Sequence, residues 1–334
     1  MSASLIIAPQ WLGDAVMTEP LLRRLAARGE RLTVAALPWV APVFEAMPQV
    51  AEIVPVPFAH GGLQWRERRQ VARQLQGRFD CAYVLPNSLK SALVPWWADI
   101  PRRVGYLGEA RVGLLTHRLK NPSKGRRPPM VALYSALSGE TDVLGDRPQL
   151  RWDAQRSAAS LRERGLAPRS YVVLAPGAEY GAAKRWPASH FAQVARELGA
   201  PVVLLGSAKE QALCEEIAAH AGADCLNLAG QTRLADALGW IAAARAVVSN
   251  DSGLMHVAAG LGLPQVAVFG SSSPEHTPPL NERARVLWLK RDASYQPALD
   301  CAPCFERECP LGHTRCLQDI SAQQVLSALQ TLAP

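Results

Sequence analysis

The chain has no run approaching the roughly 18 apolar residues of a membrane span, so no spanning helix is expected. It has no G-x-G-x-x-G, which disfavours a dinucleotide site, and its glycine loops are not followed by the Gly-Lys-Ser/Thr of a P-loop. It also has no Asp-x-Asp pair, so a nucleotide-sugar site that clamps its diphosphate through a metal is not expected. The opening MSASLIIAPQ lacks a basic start followed by a long apolar stretch; no secretory signal is read, and a cytosolic chain is expected. In that compartment seven cysteines argue against a disulfide framework. Charged residues are scarce at 19%, whereas apolar residues reach 49%, enough for large cores.

The length of 334 residues suggests two domains. Strand-like and helix-like segments alternate along both halves, the pattern of doubly wound parallel sheets. The Gly-, Asp- and Pro-rich stretch Ser138–Gln149 marks the boundary, giving domains 1–150 and 151–316 and a final helix in 317–334. The net charge of +7 and a pI near 9.2 suggest an anionic partner. The cations concentrate in Arg66, Arg68 and Arg69 and in a run comprising Arg102, Arg103, Arg111, Arg118, Lys120, Lys124, Arg126 and Arg127. Part of that run can be a solvated face. A nucleic-acid partner is disfavoured because Arg102–Arg127 carries only one aromatic residue, Tyr106. Trp96 and Trp97 precede the run, and tryptophan beside cations suits a membrane interface, with a core role as the alternative.

Ligands of such sheets bind beyond the carboxyl ends of the strands. Asp14 follows the first strand, beside Gly13. It is placed to be a general base, or to serve as a helix cap or first-turn acid. In the second half, Ala246–Pro274 reads strand, turn, helix, strand, with Asn250, Asp251, Ser252 and Gly253 at the turn and His256 in the helix behind it. Free N–H groups at such a helix start form an anion site, although Asp251 or Ser252 can simply cap the helix. Upstream, Gly177-Ala178-Glu179-Tyr180-Gly181 leads to Lys184 and Arg185 ahead of another helix, a second phosphate-type loop. Cys301-x2-Cys304-x4-Cys309-x6-Cys316, with His313 inside, can hold a structural zinc, remain a reduced loop, or form a disulfide on isolation.

Five stretches in order resemble the ADP-heptose:lipopolysaccharide heptosyltransferase family. They are W-L-G-D-A-V-M from Trp11, Y-V-L-P-N-S-L-K-S-A-L-V-P from Tyr83, P-G-A-E-Y-G-A-A-K-R-W-P from Pro176, N-D-S-G-L-M-H-V-A-A from Asn250 and S-S-P-E-H-T-P-P from Ser272. The resemblance implies a GT-B fold: two Rossmann-like doubly wound domains facing across a cleft, with the C-terminal helix crossing back to the first domain. It implies an inverting glycosyltransferase that moves heptose from ADP-heptose to inner-core lipopolysaccharide, at the cytoplasmic face of the inner membrane and without a catalytic metal.

The motif at 83–95 favours the branch whose acceptor is heptosyl-Kdo2-lipid A. The alternatives are a sister enzyme with another core acceptor and another GT-B nucleotide-sugar enzyme. By resemblance, Asp14 is the base and Lys184 stabilises the leaving diphosphate. Gly177, Tyr180, Lys184, Arg185, Thr232, Asp251, Ser252, Gly253 and His256 bind the donor. Asn87, Lys90, Arg66, Arg68, Arg69, Arg102 and Arg111 meet the acceptor.

Overall fold

The computed structural model describes residues 2–58, 62–123, 128–153, 155–222 and 224–332. Lys124, Arg126 and Arg127 lie outside them. The chain divides into two compact units, Met1–Arg151 and Trp152–Pro334.

The first unit runs β1 (Ala3–Ile7), α1 (Leu12–Met17), α2 (Glu19–Ala27), β2 (Arg31–Ala36), α3 (Ala41–Glu45), β3 (Val50–Pro55), α4 (Trp65–Leu75), β4 (Cys81–Val84), α5 (Leu89–Trp97), β5 (Arg102–Tyr106), β6 (His117–Leu119) and α6 (Met130–Ser135). The second runs α7 (Gln155–Glu163), β7 (Val172–Ala175), α8 (Ala188–Glu197), β8 (Val202–Leu204), α9 (Gln211–Ala221), β9 (Cys225–Asn227), α10 (Leu234–Ala242), β10 (Ala246–Asn250), α11 (Gly253–Gly260), β11 (Gln265–Val268), β12 (Ala284–Leu287), α12 (Arg315–Gln318) and α13 (Ala322–Gln330).

Each unit holds one six-stranded sheet, and both have the same order: β3-β2-β1-β4-β5-β6 and β9-β8-β7-β10-β11-β12. Every pairing is parallel. Helices cover both faces of such a sheet, so its inner strands are apolar throughout rather than alternating. Accordingly β4 (CAYV), β7 (VVLA), β10 (AVVSN) and β11 (QVAV) are buried at every position. The winding direction reverses between β1 and β4, and again between β7 and β10. Loops leaving these strand pairs diverge and open a crevice at the carboxyl edge.

Three segments depart from the sequence reading. Strand β6 lies inside the basic run and pairs with β5 from Val104↔His117 to Tyr106↔Leu119. His117 and Arg118 are exposed, so this edge strand needs no apolar signature. The 138–149 stretch lies just before the observed division, as expected of a boundary, but it is packed within the first unit. Arg24 grips Asp146 at 2.7 Å, Arg28 donates to the Ser138 carbonyl at 2.6 Å, and the Gln149 N–H donates to Glu19 at 2.9 Å, so the stretch is tied to α2. Finally, residues 317–332 are not an element apart. Val325, Leu326 and Leu329 of α13 join the second unit's core with Phe191 and Val194 of α8. A capping box between Ser321 and Gln324 fixes where that helix begins.

Candidate active site

In the first unit a cavity of about 350 Å³ opens beyond β1, β2 and β4. Asp14, Arg68, Asn87, Lys90 and Tyr134 are its chemistry-bearing walls, with Trp11, Leu37 and Phe58 as apolar ones. Asp14 sits in the first turn of α1, where the helix dipole favours a carboxylate. The cap position belongs to Trp11, so Asp14 is a first-turn acid and not the N-cap. Tyr134 of α6 hydrogen-bonds Asp14; burial first, and then the Asp14 charge, push its phenol well above the usual range. It therefore remains a protonated donor to the carboxylate. Tyr134 lies 120 positions from Asp14 in the chain (134 − 14), on a short helix without a motif, so no local signal announces the pair.

Two arginines that resemblance places at the acceptor lie outside the cavity lining, one of them as a structural group. Arg111 is fully buried. Its guanidinium donates to the carbonyls of Tyr106 (2.9 Å) and Pro86 (2.5 Å) and to Asn87 Oδ1 (3.0 Å), and burial lowers its pKa to about 10. Buried carbonyls need a donor, and one planar five-donor group serves several loop ends at once. Arg102 is exposed at the start of β5, paired with Cys81 at the amino edge of the sheet, the end opposite the cavity. Arg68 does line the cavity, but its head is engaged. It donates to the carbonyls of Leu63 (2.7 Å) and Lys90 (3.2 Å) and lies 4.0 Å from the Phe58 ring centroid. Arg66 and Arg69 are exposed on α4 and are not among the lining residues.

In the second unit the loop after β7 meets the turn after β10. Lys184 Nζ lies 2.6 Å from Asp251 Oδ2, an ion pair whose carboxylate is only 5% exposed. Asn250 staples the two segments, donating to the Pro176 carbonyl at 2.6 Å and accepting from the Trp186 N–H at 3.0 Å. Gly177 leaves room for a neighbouring carboxylate: a Cβ there would come within 1.8 Å of Glu210 Oε1 and would push that side chain aside. Glu210 is itself held by the Ser207 N–H at 2.7 Å.

Ser252 occupies the N-cap of α11 but makes no capping bond. Among the described residues, the buried hydroxyls of Ser252, Ser249, Ser271 and Ser272 have no hydrogen-bond partner. Such groups are costly when left unpaired, so a cluster of them at a carboxyl edge marks a place for polar ligand atoms. His256 is buried in α11; burial, with the Lys184 charge assisting and Asp251 opposing, lowers its pKa to about 4. It is therefore a neutral imidazole near pH 7. Arg185 is exposed beside the loop. Thr232 is half-buried on the loop between β9 and α10, two strands from β7 in the sheet.

Sequence reading missed the support of the Lys184 loop. The Tyr180 hydroxyl donates to the Phe305 carbonyl at 2.8 Å, and the Ala183 N–H to the Arg307 carbonyl at 3.0 Å. The Tyr180 ring has Lys184 on it at 5.2 Å and Arg307 at 5.1 Å. The cysteine segment is thus a strap across the loop, and Arg307 adds a cation beside Lys184. The only sequence signal was an arginine between two cysteines.

Cys301, Cys304, Cys309 and Cys316 are free thiols lining one small cavity with His313. Burial opposes ionisation of Cys309, but the N–H groups of Thr314, Leu311, His313 and Gly312 outweigh it and hold this thiol below its usual range. Burial and the neighbouring sulfurs push Cys316 up to about 11. Among the described residues, no group of three or more ligating side chains is gathered as a metal site.

Two doubly wound units, each with its polar loops at the switch point, are the architecture of GT-B glycosyltransferases. A family model described as glycosyltransferase family 9 (heptosyltransferase) matches residues 68–315, and the chain belongs to that family. It is 41% identical to lipopolysaccharide heptosyltransferase 2 of Escherichia coli, over 98% of this chain and 97% of the relative. It is 40% identical to lipooligosaccharide heptosyltransferase 2 of Haemophilus ducreyi, over 85% and 88%. The solved E. coli ADP-heptose lps heptosyltransferase II superposes with a TM-score of 0.85 at 39% identity, over 100% of this chain and 98% of that one.

Proposed function

We propose that the protein transfers heptose from ADP-heptose to the heptose of heptosyl-Kdo2-lipid A, inverting the anomeric centre. The relatives named above support the substrates. The observation that carries the reading is the Lys184–Asp251 pair beside the start of α11, whose N-cap hydroxyl, on Ser252, is buried without a hydrogen-bond partner. A half-buried cation, helix N-terminal N–H groups and a spare hydroxyl suit a diphosphate.

In this mechanism Asp14 accepts the acceptor hydroxyl's proton as its oxygen bonds to the anomeric carbon. The bond from that carbon to the ADP oxygen breaks, and the electron pair leaves with the diphosphate. Lys184 and the amides at Gly253 stabilise that charge. Asp251 holds the lysine in place and offers its second oxygen to a sugar hydroxyl. Neutral His256 hydrogen-bonds without adding charge to the site. Tyr134 orients Asp14, Arg307 and Arg185 add cations beside Lys184, and Thr232 serves the adenine side.

No metal takes part in this step. A structural metal ion at the four cysteines rests on their thiol chemistry alone, since no three ligating side chains are gathered as a metal site among the described residues; bound there, it would cross-link the strap and leave no open position. Metal analysis of the purified protein giving less than a tenth of an equivalent (roughly the background for a closed thiolate site) would remove it.

The enzyme works in the cytosol as a peripheral protein of the inner membrane; no helix among the described residues is long and apolar enough to cross a membrane. The test is transfer to acceptors carrying zero, one or two heptoses. Product on the one-heptose acceptor alone supports the reading. Turnover on the zero-heptose acceptor would move the enzyme to a sister activity.

A further inference from the structure

The outer face of α4 and the end of α5 form a surface whose exposed residues are not in the lining of the first unit's cavity. Arg66, Arg69 and Arg73 are all exposed, and their spacing of three and then four puts them on one stripe of α4. Trp65, at the helix start, is 48% exposed and stands edge-on to Trp97, with ring centroids 4.5 Å apart. Trp97 in turn contacts Trp96, itself 42% exposed, at 6.2 Å, and the Arg69 guanidinium lies 5.9 Å from the Trp97 ring.

Large exposed aromatics are unusual on a surface facing only water, and this set is clustered and edged by cations. Indole rings settle at the boundary between headgroups and acyl chains, while guanidinium groups meet lipid phosphates. The chemistry is one-sided: the only acid on α4 is Glu67. The patch also adjoins the acceptor cavity. Arg68 of α4 and Lys90 of α5 line that cavity, while the stripe residues of the same helix are exposed outside its lining.

We infer that Trp65, Trp96, Arg66, Arg69 and Arg73 form the surface by which the protein docks on an anionic lipid bilayer. This deepens the proposed peripheral location and rests on that reading. Docking here holds the cavity mouth at the headgroup layer, where a lipid-anchored acceptor presents its sugars. The partner is the bilayer, not the phosphates of the acceptor saccharide.

The test is flotation of the full-length protein with vesicles of phosphatidylglycerol and phosphatidylethanolamine, and with pure phosphatidylcholine vesicles. Each cation near an anionic surface favours binding by about fivefold, so Arg66→Ala/Arg69→Ala/Arg73→Ala should weaken binding to the anionic vesicles by about 100-fold. Trp96→Ser should weaken it by about tenfold and reduce the quenching of tryptophan emission by brominated lipid. Circular dichroism confirms that both variants are folded. Equal binding of wild type and triple variant, or equal binding to both vesicle types, would overturn the assignment. So would release of the wild type from vesicles by millimolar inorganic phosphate at constant ionic strength, which would mean a phosphate pocket and not a bilayer.

Transfer to a delipidated one-heptose acceptor separates the two readings. Trp96→Ser should retain wild-type turnover there. If wild type binds vesicles as described but transfers no heptose to that acceptor, the docking surface stands and the functional reading falls.

Discussion

The two units repeat one topology but place different functional groups at the same point. At the β1/β4 switch point the crevice is a cavity of about 350 Å³ with a carboxylate, Asp14, held by a protonated phenol. At the β7/β10 switch point it carries a lysine locked to Asp251 and the start of α11. The order of strands is identical, so topology cannot be the source of the difference. It comes from the few residues that leave each strand. A doubly wound sheet supplies a location; its loops decide whether that location accepts protons or stabilises anions.

That contrast can be broken most directly at its acid. Asp14→Asn removes the proton acceptor and keeps the shape, so kcat should fall by about 100-fold or more, measured as ADP release. Activity near wild type would end the assignment of Asp14 as base, while leaving the family untouched. At the opposite site Lys184→Ala should lower kcat by about 100-fold, since one charge-stabilising donor contributes roughly 3 kcal/mol to the transition state. A rise in donor KM with kcat unchanged would reduce Lys184 to ground-state binding.

Three further changes sharpen the comparison through stability. Arg111→Ala should destabilise by about 3 kcal/mol in urea unfolding, because buried carbonyls of Tyr106 and Pro86 lose their donor. An altered acceptor KM at unchanged stability would return Arg111 to the acceptor.

His256 has the next effect. Its folded pKa of about 4 lies below the ordinary 6.5, so between these values the unfolded chain binds more protons. Its contribution is therefore complete above pH 6.5 and lost as pH falls toward 4, by about 3 kcal/mol in all. His256→Gln should flatten the fall of Tm over that window; an unchanged slope would exclude the histidine as its cause.

Smallest is Gly181→Ala. Its Cβ would come within 2.2 Å of the Arg307 carbonyl oxygen, so the loop must shift from the strap. A cost of about 1–3 kcal/mol is expected, with kcat falling by less than Lys184→Ala produces. Full activity would show that the strap does not support the lysine.

Much of this was legible in the chain. The apolar runs of β1, β4, β7, β10 and β11 announce buried parallel strands because a strand covered on both faces has no polar side to show. The turns carrying Asp14, Lys184 and Asp251 follow those runs directly, so their place at the carboxyl edge follows from order alone. Arg111 and Arg102 were misplaced for the same reason as each other. A cation in sequence shows its charge but not its surroundings, and one is buried among carbonyls while the other lies at the amino edge. Strand β6 was missed because an edge strand of three residues has no periodicity to read.

The sequence by itself determined the two-unit α/β architecture and the place of the Asp14, Lys184 and Asp251 turns beyond the strands, because each depends on local hydrophobic pattern and on turn residues next to strands. Only the tertiary structure decided which groups meet. It joined Tyr134 to Asp14, Lys184 to Asp251, Asn250 to Pro176, and the cysteine strap to Tyr180. These partners are far apart in the chain, and a hydrogen bond or ion pair exists only when folding brings its two atoms within about 3 Å. No local pattern encodes that distance.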